Sequence, residues 1–235
     1  MTYKLLNEFR SLFEGSVYRH RSSMNGDRIA YQLYEDLLDL GRSQKLVNGI
    51  SSGTRVINTK NRVSGQQARR GDGTFGECLP HSHPIAAPSY SVRRGPIANI
   101  EIAAETKILA TAIGKQVQER VSSLTDQAAV FRHRNPDVIC VALVGINYAP
   151  SYLAYEGDRA TLTDGKAHAH PIQQASTAET KVRADLQSVY EEVIVLPFIA
   201  SNQPPHDFQW ANATKVENEY GAALIRISQQ YERRF

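Results

Sequence analysis

The chain has 235 residues, enough to bury a substantial core. Apolar residues at 41% and charged residues at 22% exclude a disordered chain, and the longest apolar run, 138–146, is too short to span a bilayer. The net charge of +3 identifies no partner by itself, and two cysteines, Cys78 and Cys140, exclude a disulfide framework. Lys4, Glu8 and Arg10 interrupt the first segment, so it lacks the apolar core of a signal peptide, and a cytoplasmic protein is expected.

In chain order, residues 27–40 predict a helix through Ile29, Leu33, Tyr34, Leu37 and Leu40, with Asn25 or Asp27 as its cap and Gly41 as its stop. Residues 41–71 contain no acid but hold Arg42, Lys45, Arg55, Lys60, Arg62, Arg69 and Arg70, and Arg93 and Arg94 follow. Such a basic stretch, interspersed with Ser, Asn, Gly and Gln, suits a mobile segment that meets phosphates. Gly71-Asp72-Gly73 marks a turn, 74–79 a short strand and 80–89 a loop bearing Pro and His.

A longer strand is expected over 97–109. A period of two puts Asn99, Glu101, Ala103, Glu105 and Lys107 on one face, and an apolar set from Ala98 to Ile108 on the other. Residues 112–131 read as an amphipathic helix ended by Asn135-Pro136, and 138–146 as a strand buried on both faces. A helix over 172–191, a strand over 193–200 and a helix over 214–233 follow. Strand, helix and strand in this order favour parallel neighbours. The whole predicts a single α/β domain over 1–235 with a mixed central sheet flanked by helices.

The charged face of the 97–109 strand carries the chemistry. Glu105 and Lys107 project the same way, and a carboxylate so placed can hold a hard cation such as Mg2+ while an adjacent lysine orients water or offsets charge on a phosphate. A second acid is required. Asp72, before the preceding strand, would lie near Glu105 across an antiparallel pair, and Glu77 on that strand is its rival. Glu101 lies about 13 Å along the strand from Glu105 and is peripheral.

Asp72 together with Ala103-Ala104-Glu105-Thr106-Lys107, followed by a helix and a buried strand, resembles the PD-(D/E)xK nuclease superfamily, which includes type II restriction endonucleases. The resemblance covers roughly residues 70–147, and Gly71 stands where that motif has proline. It implies a restriction-endonuclease-like core and Mg2+-dependent hydrolysis of double-stranded DNA by a sequence-specific homodimer. It also implies metal ligation by Asp72 or Glu77, by Glu105 and by the Thr106 carbonyl, with Lys107 positioning the attacking water. A further acid from the early helix, Glu35 or Asp36, is implied in the same way. Arg62, Arg69, Arg70, Arg93 and Arg94 are the expected DNA contacts.

A second Glu-x-Lys, at Glu179 and Lys181, lies in a polar helical stretch and reads as solvated. The pairs His81/His83 and His168/His170 precede prolines and read as loop residues, not a zinc site. Tyr148, Tyr152 and Tyr155 finish a core edge or stack on bases. Two other classes of function remain open, a non-catalytic nucleic-acid-binding protein and an RNA-directed nuclease.

Overall fold

The computed structural model describes residues 2–19, 23–63, 66–67, 72–156, 159–166 and 169–235. In chain order they form α1 (Lys4–Ser11), α2 (Ser23–Leu40), α3 (Gln44–Ser52), β1 (Arg55–Val63), β2 (Gln66–Gln67), β3 (Gly73–Glu77), β4 (Arg94–Ile97), β5 (Ile102–Leu109), α4 (Ile113–Arg134), β6 (Ile139–Asn147), β7 (Tyr152–Glu156), β8 (Arg159–Thr163), α5 (Pro171–Leu186), β9 (Glu192–Ile199), β10 (Gln209–Trp210) and α6 (Ala213–Arg234).

The apolar run ICVALVGIN makes β6 the spine of the molecule, buried at every position. It runs parallel to β5 on one side and to β9 on the other. Beyond β5 the sheet turns antiparallel through β3 and β1, while β4 lies parallel to β1. The result is one eight-stranded mixed sheet, with β7 and β8 forming a separate hairpin. The mixed α/β class expected from the sequence is what the chain adopts.

Alternation along the strands divides the core in two. Ile102, Ala104, Val141, Leu143, Leu196 and Phe198 face α1, α2, α3 and α6. Ala103, Leu109, Cys140, Ala142 and Val144 face α4 and α5. Glu105 and Lys107 therefore project on the side that α4 and α5 cover, not onto an open sheet face.

Several boundaries differ from expectation. The strand expected over 97–109 is two elements: β4 ends at Ile97 and β5 begins at Ile102. Between them the chain crosses from β1 to β3. Gly76 of β3 packs so closely there that an added Cβ would overlap the Asn99 carbonyl oxygen. Asn135 Nδ2 donates to the Ile100 carbonyl at 2.6 Å and ties the same bend to the end of α4. Nor is the basic stretch simply a mobile segment. It contains α3, capped by Ser43 Oγ accepting from Leu46 N at 3.1 Å and closed by Gly53 at φ +73°, and then β1. Polar side chains there conceal two core positions per element, Leu46 and Ile50 in the helix and Val56 and Ile57 in the strand.

Candidate active site

Register brings the two leading acids together. In the antiparallel β3–β5 pair, Gly73 stands opposite Ala104 and Phe75 opposite Ile102. Asp72 is thus the first residue beyond the ladder, and past it no strand among the described residues pairs with that edge of β5. The Asp72 carboxylate finishes the ladder, accepting from Thr106 N through Oδ2 at 2.9 Å. Asp72 N in turn donates to Glu105 Oε2 at 3.3 Å. Lys107 Nζ lies 2.5 Å from Glu105 Oε1, so one carboxylate is held between the Asp72 backbone and the ammonium.

The site is partly withdrawn from water. Glu105 and Thr106 are each 7% exposed, whereas Asp72 and Lys107 are half-buried. Thr106 Oγ1 is buried without a hydrogen-bond partner. In an extended strand a residue's N–H and C=O point to the same edge. The Thr106 carbonyl therefore faces the same edge as the N–H that Asp72 takes. The field of the acids reaches across the α4–α5 side: burial first, then the charge of Glu105, raises the Tyr190 phenol far above its ordinary range, with Asp72 adding to it.

The donor set, two carboxylates and a backbone carbonyl, consists of hard oxygens and fits Mg2+, which takes one or two carboxylates and keeps water in its remaining positions. Among the described residues, no group of three or more His, Cys, Asp and Glu side chains is gathered at one point. The fit rests on the pair and the carbonyl alone.

Other expected residues lie elsewhere. Glu77 is exposed at the far end of β3, opposite Arg55, because the register that places Asp72 beside Glu105 carries Glu77 away from it. Neither Glu35 nor Asp36 of α2 joins the site. Glu35 accepts from Ser91 N and Val92 N, both at 2.8 Å, and pins the loop before β4. Asp36 caps α1 through Lys4 N and Leu5 N, and accepts from the Tyr220 hydroxyl at 2.7 Å. Glu101 pairs with Arg55 and the Tyr231 hydroxyl.

The expected DNA contacts divide as well. Arg94 is a clamp: its guanidinium carbon sits 4.2 Å from the Tyr31 ring centre and 5.2 Å from that of Tyr90. The two rings stand nearly perpendicular, and the half-buried guanidinium lies over both. Arg93 is exposed beside the Gly53 turn. The Arg62 backbone closes β1 against Gln67, but its side chain, with Arg69 and Arg70, lies outside the described residues. The second Glu-x-Lys is a helix-surface feature of α5: Glu179 pairs with Arg183, and Lys181 with Asp185. His81 and His83 are exposed loop residues, His170 caps α5 through Nδ1, and His168 lies outside the described residues. Tyr152 is core, its hydroxyl accepting from Ala112 N, and Tyr148 donates to Glu179 at 2.6 Å.

One neighbour of the site carries no signal in the sequence beyond a glycine inside a helix. On α2, Gly26, Ala30 and Tyr34 form one stripe along the start of β3. A Cβ added at Gly26 would lie 2.5 Å from Asp72 Oδ2, and one added at Gly73 would lie 2.6 Å from the Ala30 methyl. The Tyr34 hydroxyl donates to the Gly73 carbonyl at 2.6 Å, and its ring stacks on Phe75 at 5.0 Å.

No protein-family model, curated protein or solved structure matches the chain.

Proposed function

We propose that the protein is a Mg2+-dependent endonuclease that hydrolyses phosphodiester bonds of double-stranded DNA at the Asp72–Glu105–Lys107 site. The observation that supports this reading most is the convergence of Asp72 and Glu105 at the β3-facing edge of β5, with Lys107 Nζ 2.5 Å from the Glu105 carboxylate. A bound Mg2+ would supply Lewis-acid polarisation of the phosphate and a more acidic water. Asp72, Glu105 and the Thr106 carbonyl would hold it. The hydrogen bond to Thr106 N holds the Asp72 carboxylate at the end of the ladder. Lys107 orients the attacking water and offsets negative charge that develops on the phosphate.

Cleavage within duplex sites, a homodimer matching their two-fold symmetry and a cytoplasmic location belong to the same proposal. The resemblance of the Glu-x-Lys strand supports the first two, and the two free cysteines suit the third. No helix among the described residues is long and apolar enough to cross a membrane. A second reading, a nucleic-acid-binding protein without catalysis, is favoured by one observation: Glu105 and Lys107 already satisfy each other as an ion pair.

Variants separate the two. Glu105→Ala and Lys107→Ala should each abolish cutting of plasmid DNA while circular dichroism and gel-shift affinity stay near wild type. Lys181→Ala, in the α5 copy, should cut normally. Undiminished cutting by either site variant overturns the mechanism. A gel shift indifferent to Lys107→Ala, with no cutting by the wild type, selects the binding protein.

A further inference from the structure

We infer that Gly26 is a positioning residue for the Asp72 carboxylate: its missing side chain lets the first turns of α2 lie directly against that carboxylate and hold it towards Glu105. The inference rests on the metal-dependent hydrolysis proposed above, because Gly26 acts only through Asp72. The backbone gives no other reason for glycine here. Gly26 is not among the positive-φ glycines of the described residues, Gly15, Gly41, Gly53 and Gly165, and within a helix glycine is less favourable than alanine. Space is the reason. A Cβ at this position would come within 2.5–2.8 Å of both carboxylate oxygens and the carbon between them.

What gives way decides the consequence. The helix cannot retreat cheaply, since Ala30 sits on Gly73 and Tyr34 is bonded to the Gly73 carbonyl and stacked on Phe75. The carboxylate is the end of a short side chain with a rotatable bond, so it moves instead. Any such swing draws Oδ2 away from Thr106 N and breaks the alignment of the two acids. A displacement of about 1 Å in such a constellation is enough to lower turnover about a hundredfold. Gly26→Ala should therefore damage the site and leave the fold nearly intact.

The test compares wild type, Gly26→Ala, Asp72→Ala and the double variant by thermal melting, by Mn2+ affinity of the DNA-free protein from electron paramagnetic resonance, and by plasmid cutting. Gly26→Ala should melt within about 3 °C of wild type. It should bind Mn2+ at least about tenfold more weakly and cut about a hundredfold more slowly. In the Asp72→Ala background the same alanine should raise the melting temperature, because the obstructing carboxylate is gone and alanine favours helix. Wild-type Mn2+ affinity and cutting by Gly26→Ala would overturn the inference. So would an equal fall in melting temperature in both backgrounds, which marks a purely structural glycine. If the wild type neither binds Mn2+ nor cuts, the hydrolytic reading fails and this role with it, while the melting cycle still reports whether residues 26 and 72 touch.

Discussion

At the scale of single residues, partners rather than residue type decide what a charged side chain does. Arg93 and Arg94 are adjacent in sequence and alike in chemistry, yet one is exposed and the other lies half-buried over the rings of Tyr31 and Tyr90. Arg94→Ala should cost about 1 kcal/mol of stability through lost cation–π contact and leave DNA affinity little changed. Arg93→Ala should do the reverse, weakening binding and reducing the salt slope by about 1 in a titration of affinity against ionic strength. Glu101 is a third case. Burial raises its pKa above the ordinary value of 4.5, against the opposing pull of the Tyr231 hydroxyl and the Arg55 guanidinium. A carboxyl that binds its proton more tightly when folded adds stability at low pH, and that increment is lost as pH rises from the unfolded value through the raised folded one. Tyr231→Phe removes a donor to the charged form and should cost about 1–3 kcal/mol at neutral pH. Denaturant melts at neutral and mildly acidic pH should show that cost shrinking as the carboxyl takes up its proton.

At the scale of elements, what the sequence made legible follows from burial. The run 139–147 reads as a strand because every residue is buried, and α4 and α6 read as helices because each presents a periodic apolar stripe. β1 was hidden because its buried pair Val56 and Ile57 faces opposite cores amid polar neighbours, and the β7–β8 hairpin because Tyr152 anchors β7 in the core while β8 is largely exposed. The pairing of Asp72 with Glu105 was legible as one of two options, since a strand preceding another is often its antiparallel neighbour. Choosing between Asp72 and Glu77 needed the register. Gly26 was not legible at all, because its contact depends on how α2 is set across β3. The bend between β4 and β5 was missed for a similar reason, as it depends on Gly76 meeting Asn99. Gly76→Ala should force these strands apart at a cost of about 3 kcal/mol, measurable by chemical denaturation.

At the scale of the whole molecule, a net charge of +3 is too small to draw the chain to DNA on its own. Under the proposed function, affinity would come from a local surface near the β3-facing edge of β5 and should fall steeply with salt. The parallel strands β5, β6 and β9 hold that edge, with a core on either face, so Glu105 sits on a central strand and Asp72 one residue before the start of β3. Such placement suits chemistry that needs fixed geometry more than it suits adaptable binding. The most direct test of the hydrolytic claim is incubation of the purified wild-type protein with mixed plasmid DNA, in Mg2+ and in chelator. Discrete fragments in Mg2+ and intact DNA in chelator are the expected result. Intact DNA under both conditions, from protein that still shifts the same DNA on a gel, would contradict the account.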